Sequence, residues 1–202
     1  MKKFFVVLLV LAASSALLAS NMGFKLVRPL TNTGNFQLNW VSLPYYWGTS
    51  ATASTVCSDI GVNASEVDRW DKVGEAYQAW VCGSSGTDFS ISPGEAVMVK
   101  VTSASNWTIV GSHNPGAVVN LTTTGVLQLN WVSVPYHTTA ATASGLCTDI
   151  GANSYEVDRW DTGSEVYQAW VCGSSGTDFT LTPGEGVIIK VTAATNWTPS
   201  HY

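Results

Sequence analysis

The chain has 202 residues, with nine lysines and arginines against fourteen aspartates and glutamates and a formal net charge of −5 at pH 7. Charged residues make up 11% of it and aromatics another 11%, nine of them tryptophan, a balance that excludes a disordered tail poor in aromatics. Nucleic acid is excluded as a partner, because phosphate binding needs clusters of lysine and arginine that are absent here.

Residues 1–20, MKKFFVVLLVLAASSALLAS, place Lys2 and Lys3 before an apolar run that ends in small residues, the pattern of a secretory signal peptide. Phe4 to Ala13 is too short to span a bilayer. The expectation is removal after Ala16, Ala19 or Ser20, leaving a secreted or cell-surface chain with no stable membrane span. Without Lys2 and Lys3, seven basic residues face fourteen acidic ones.

From there on the pattern is short and strand-like. Phe24 to Leu30 and Leu38 to Leu43 read as strands. Thr52 to Gly61, TASTVCSDIG, carries Ala53, Val56, Cys57 and Ile60 on one helical stripe, with Thr52 as N-cap and Gly61 as stop. Further strands are expected at Glu66 to Trp70, Ala76 to Cys82, Val97 to Thr102 and Trp107 to Val110, between clusters of glycine, serine, asparagine and proline. Pro93-Gly94 and Pro183-Gly184 fit type II turns, with glycine taking the positive φ. In Tyr77 to Cys82, alternation puts Gln78, Trp80 and Cys82 on one face and Tyr77, Ala79 and Val81 on the other. Both faces are partly apolar, which favours a small barrel or sandwich over an open sheet with one wet face. CGSSGTDF, which follows, reads as a connector.

The whole pattern occurs twice. KLVRPLTNTGNFQLNWVSLP (Lys25 to Pro44) falls on GAVVNLTTTGVLQLNWVSVP (Gly116 to Pro135) at an offset of 91, and the offset is 90 from Ala53 on Ala143 to Thr108 on Thr198. All fourteen acidic residues pair between the copies. The expected domains are therefore the signal peptide at 1–20 and two β-rich modules at 21–111 and 112–202, each with one short helix. A module of this size buries only about 60–70% of its unfolded surface. Its cysteines answer that weakness: Cys57 and Cys82 recur as Cys147 and Cys172, and duplication favours Cys57–Cys82 and Cys147–Cys172 among the three pairings that four cysteines allow. Each bridge contributes about 3 kcal/mol by restricting the unfolded chain. A four-cysteine zinc site is the rival, against which stands the lack of any C-x-x-C pair.

NWVSLP, the helix ASTVCSDIG, EVDRWD, YQAW, and SPGEAVMVKV with NWTIVG together resemble a repeat module of exported bacterial and archaeal surface proteins. That module reads as a W-N-L-I-S-L-P strand, a helix, a V-x-x-W-D-like strand and a closing P-G-x-G-Y-W-I-K-V strand. The resemblance covers nearly all of both copies and implies an architecture, with no catalytic activity attached to the family. The sequence departs at the closing strand, where Ala96-Val97-Met98 and Gly186-Val187-Ile188 replace the aromatic pair. A binding role of those aromatics therefore does not carry over.

A catalytic constellation is hard to assemble. His113, His137 and His201 have no metal-ligand spacing, and G-x-S-x-G and phosphate-loop motifs are absent. Glu66, Asp68 and Asp71 could supply oxygens to calcium or a carboxylate pair for glycoside hydrolysis, but Arg69 neutralises a neighbour and no D-x-D-x-D-G loop is present. Neither a metal nor a cofactor is expected. Eight of the nine tryptophans pair between the copies and read as core. Trp70 and Trp160, beside acids on their strands, and Tyr46 and Trp47, in a turn, are the candidates for stacking on sugar rings. Asn63, Asn106, Asn120 and Asn196 head N-x-S/T triplets.

The copies also suggest head-to-tail assembly. If the strand at Phe24 to Leu30 completed the module of a preceding molecule, then Phe24, Lys25, Leu26, Val27 and Leu30, with His201 and Tyr202, would form a polymer contact by strand donation. The sequence thus reads as a non-enzymatic extracellular structural protein that assembles with itself or with other surface proteins. The alternatives are a carbohydrate-binding adhesin and, less favoured, a glycan-active enzyme.

Overall fold

The computed structural model describes residues 23–34, 37–43, 45–47, 51–84, 87–112, 114 and 116–200. The expectations for residues 1–20, His113, His201 and Tyr202 lie outside them. In the first half, β1 (Phe24–Leu30), β2 (Leu38–Ser42), α1 (Ala53–Ile60), β3 (Ala64–Asp71), β4 (Ala76–Val81), β5 (Ala96–Val101) and β6 (Ser105–Gly111) follow one another. The second half repeats the order as β7 (Val119–Leu121), β8 (Asn130–Ser133), α2 (Ala143–Ile150), β9 (Ser154–Asp161), β10 (Val166–Val171), the two-residue β11 (Ser175–Gly176), β12 (Gly186–Val191) and β13 (Thr195–Trp197).

Every ladder is antiparallel. The first half has a four-stranded sheet, β2-β5-β3-β4, and a separate ribbon of β1 with β6; the second has β11-β10-β9-β12-β8 and a ribbon of β13 with β7. Of the two expected architectures the barrel is therefore wrong. The ribbon bonds to neither edge of its sheet, so each half is an open sheet faced by a ribbon, with a helix against β3 or β9. Among the described residues no helix is long and apolar enough to cross a membrane.

The helix forms where its sequence sets the ends. Thr52 has extended backbone, and its hydroxyl accepts from Thr55 N while Thr55 Oγ1 accepts from Thr52 N, a reciprocal cap. Gly61 ends it at φ 87°, donating its N–H to Cys57 O. In α2, Thr142 caps Gly145 N, but Gly145 has no side chain to return the bond. The repeated CGSSGTDF loop also holds the helix. Asp88 and Asp178 accept from the backbone N–H of Ser54 and Ser144 at 3.0 and 2.9 Å, and Phe89 and Phe179 are buried beneath the guanidinium groups of Arg69 and Arg159. A loop read as a connector is thus a clamp, tied at one end by Cys82 or Cys172. The bridges Cys57–Cys82 and Cys147–Cys172 both form.

Each half has its own core. Val97, Val99 and Val101 of β5, Val67 of β3 and Val41 of β2 meet Val56 and Cys57 of α1 and Trp107 and Ile109 of β6. Val187, Ile189, Val191, Val157, Val132, Leu146, Cys147 and Trp197 repeat the arrangement. Trp107 and Trp197 each donate their indole N–H to the helix acid, Asp59 or Asp149, at 2.6 and 2.7 Å, so these buried rings keep their polar atom satisfied.

The strand-donation expectation fails for β1. It pairs with β6 of its own half over seven positions, from Phe24 opposite Gly111 to Leu30 opposite Ser105, and Leu26 and Leu30 pack on the first core. A strand whose ladder and apolar face are satisfied within its own chain has nothing left to donate. The second half does not lack the strand either: β7 takes its place, though over three positions only.

Candidate functional site between the two halves

Strand alternation sends the other face of each sheet outward, and there the two halves meet. Trp40, Trp70, Ala96 and Met98 of the first half and Trp131 and Ile188 of the second form a third buried core, with Leu38, Leu129 and Trp160 packed against it. Met98 and Ile188 are buried in this contact. The Trp40 and Trp131 rings meet edge to face at 5.0 Å, and Trp131 also stacks on Trp70 at 6.5 Å.

The contact has approximate two-fold symmetry. Ser42 N donates to Gly184 O and Ser42 Oγ to Glu185 O, while Ser133 N donates to Gly94 O and Ser133 Oγ to Glu95 O. Lys72 Nζ reaches Asn130 Oδ1 at 3.0 Å, and its counterpart Thr162 donates to Leu38 O. Within the contact Ala96 faces Gly186, where an added Cβ would lie 2.7 Å from that of Ala96. The two small residues let the sheets come together.

The carboxylates on these faces pair with lysines of their own half, although Oδ1 of Asp68 and of Asp158 is buried without a hydrogen-bond partner. Lys100 bridges Glu66 and, at 3.6 Å, Asp68; Lys190 bridges Glu156 and, at 3.5 Å, Asp158. Burial pushes Asp68 up to about 7 and Asp158 up to about 6, against the pull of the two lysines. Burial also raises Glu95 and Glu185 and lowers Lys72 and Arg28. Glu66, Asp68, Glu156 and Asp158 are paired with lysines and Glu185 with Arg159, and among the described residues no group of three or more histidines, cysteines or acids could hold a metal ion.

At one end of this contact the halves leave a cavity of about 70 Å³. Its lining pairs equivalent residues, Leu43 with Val134, Tyr45 with Tyr136 and Gly94 with Gly184, so it lies on the approximate axis and belongs to neither half alone. Phe24 stacks on Tyr136 at 4.0 Å, nearly coplanar, and His137 meets the pair edge-on.

No family model, curated protein or solved structure matches this chain. Its site is therefore read from its own geometry.

The sugar-stacking candidates are redistributed. Trp70 is 8% exposed and buried in the third core, and Trp160, partly buried, packs against the same core. Their strands put them on the side that the other half covers, which one module's pattern could not reveal. Trp47 packs on the first core, edge to face with Trp107 at 6.1 Å. Tyr46, 51% exposed, keeps the accessibility expected of it while its backbone bridges Ser112. The tyrosines directly across from these tryptophans were missed as candidates: Tyr77 pairs with Trp70 and Tyr167 with Trp160, and they are 55% and 45% exposed. They meet across the boundary, where burial and a hydrogen bond with Tyr77 raise the pKa of Tyr167. The signal was available, since alternation already placed Tyr77 opposite the disulfide face.

Proposed function

We propose that this chain is an exported, non-enzymatic structural protein that serves outside the cell or on its surface as a rigid two-module block, offering its outer faces to copies of itself or to neighbouring surface proteins. The observation that carries this reading is the third core. Two disulfide-closed halves cover the second face of each other's sheets with tryptophans, so the aromatic and charged residues that could have built a reactive cleft go into rigidity instead. The signal-peptide pattern, the suitability of both bridges to an oxidising compartment and the likeness to exported surface repeats support it. Head-to-tail assembly into a filament or matrix belongs to the same reading, with β1 staying in its own half.

The test is expression with residues 1–20 in place, followed by cell fractionation, non-reducing peptide mapping, light scattering and negative-stain microscopy. Export with both bridges formed and concentration-dependent assemblies are expected. Retention in the cytoplasm with free thiols would overturn export, and monodisperse monomers at every concentration would overturn assembly. The half-exposed Tyr77 and Tyr167 favour a second reading, a carbohydrate-binding adhesin; glycan-array binding that disappears in Tyr77→Ala and Tyr167→Ala would select it.

A further inference from the structure

The fold sorts the N-x-S/T triplets at Asn63, Asn106, Asn120 and Asn196. In an extended strand the first and third residues of a triplet share a face and the middle one takes the other. β6 carries Asn106-Trp107-Thr108 in this way. Trp107 is buried in the first core, while Asn106 and Thr108 stand exposed on the outer face of the ribbon and, among the described residues, make no side-chain hydrogen bond. Across the ladder from Asn106 lies Pro29, which has no N–H to give it, so no bond from that residue holds the asparagine in place. The other triplets each lack a part. Asn63 Oδ1 already accepts from Ser103 Oγ at 2.8 Å. In the Asn120 triplet, Thr122 directs its N–H and its hydroxyl to Asn130 Oδ1, at 3.0 and 3.5 Å. Asn196 faces Asn120 directly across its ribbon, and Pro199 follows Thr198 and confines that threonine to extended backbone.

We propose that Asn106 is an N-glycosylation site, which receives an oligosaccharide from a polyprenyl-phosphate-linked donor during export. The carboxamide nitrogen of Asn106 forms a bond to C1 of the first sugar. The bond from C1 to the lipid phosphate oxygen breaks, the lipid phosphate leaves with the electron pair, and the proton lost by the nitrogen passes to a base of the transferase. The threonine hydroxyl two residues on is what the transferase grips, so a free Thr108 matters as much as a free Asn106. The product suits the fold, because the sugar grows from the side of the ribbon opposite its core. Val27 and Val110 lie on that same outer face, 50% and 60% exposed. A bulky, solubilising sugar beside them covers apolar surface that the chain itself leaves open. The proposal rests on the reading of this chain as exported, since the transfer takes place on the far side of the membrane; export with an unmodified Asn106 would end the proposal and leave that reading standing.

The test uses the full chain, residues 1–20 included, recovered from the cells that naturally make it, as parent and as variants. Chymotryptic cleavage after Trp107 separates Asn106 from Asn120, and electron-transfer mass spectrometry locates any sugar. Expected are an oligosaccharide on Asn106, its loss in Asn106→Gln and in Thr108→Ala, and its retention in Thr108→Ser. Thr108→Ala keeps the asparagine, so its effect reports recognition of the triplet and not the reactivity of an exposed amide. Intact Cys57–Cys82 and Cys147–Cys172 bridges in a non-reducing map show that each variant folds. An unmodified Asn106 in the exported parent, an addition that survives Thr108→Ala, or higher occupancy at Asn63, Asn120 or Asn196 than at Asn106 overturns the proposal. Retention of the parent in the cytoplasm overturns it together with the reading on which it rests.

Discussion

Gly186→Ala puts a methyl group into the contact between the two sheets, 2.7 Å from the Cβ of Ala96. Carbon atoms in contact sit about 3.5–4.0 Å apart, so the sheets must separate by about 1 Å or the strands must shift, at a cost of about 1–3 kcal/mol. Gly186 is not among the residues with positive φ, so alanine brings no backbone strain there and gains about 0.5–1 kcal/mol of strand stability over glycine. The net expectation is a loss of about 1–2 kcal/mol. Ala96→Gly, in β5, loses one buried methyl worth about 0.8 kcal/mol and the same glycine increment, again about 1–2 kcal/mol in all. The double variant moves the single methyl from one side of the gap to the other. Because the halves are related by an approximate two-fold, it is expected within about 1 kcal/mol of the parent, a coupling of about 1–3 kcal/mol relative to the summed single losses. Urea unfolding with both disulfides intact, followed by tryptophan fluorescence and by far-ultraviolet circular dichroism, reads these differences. Trp40 and Trp131 report directly on the contact. A double variant that is as unstable as the sum of its parts, within about 0.5 kcal/mol, would refute the reasoning and place the cost of each change in its own strand.

The remaining expectations follow from single features. Cys82→Ala or Cys172→Ala opens a bridge with a sequence separation of 25 and is expected to cost about 3.5 kcal/mol in denaturant titrations; equal losses in the two halves are the signature of equivalent staples. Thr52→Ala and Thr142→Ala are each expected to cost about 1 kcal/mol in the same assay, since each removes the hydroxyl that accepts from the N–H of Thr55 or Gly145, whereas Thr55→Ala removes the acceptor of the Thr52 N–H, a bond that the second half lacks. Asp68 is held near 7 by burial, so between its ordinary value and 7 the folded state keeps a proton that the unfolded state has released, and stability falls as pH rises through that window. Asp68→Asn removes this term: its melting temperature is expected to match the parent near pH 4 and to exceed it by about 3–5 °C at pH 8, and an equal gap at both values would refute the assignment.

Much of one module was legible in its sequence because the signals were local. The helix stripe, its Thr52 cap and Gly61 stop, the Pro-Gly turns and the strand at Phe24 to Leu30 appear where expected, with boundaries moved by a residue or two. The cystine pairing was readable because the duplication fixed it. What failed depended on contacts between distant segments. Periodicity shows that Trp70 shares a face with Asp68, but whether that face meets solvent or another sheet depends on the second module. The same limit applies to β1: a strand pattern contains no record of which edge it joins, and here the host was β6, about eighty residues away.

The duplication itself explains why the two sheets look toward each other. A module whose strands are apolar on both faces can bury one face under its own helix and ribbon, and the other, rich in tryptophan, remains to be covered. A second copy of the same face is the simplest cover, since an isologous contact places each residue opposite its own equivalent or a fixed partner. Identity is then tolerable everywhere except near the axis, where a residue meets its own counterpart and two equal side chains need twice the space of one. Trp40 and Trp131 solve this by crossing edge to face; Ala96 and Gly186 solve it by differing by one methyl. The copies have therefore diverged in size where geometry gives them the least room.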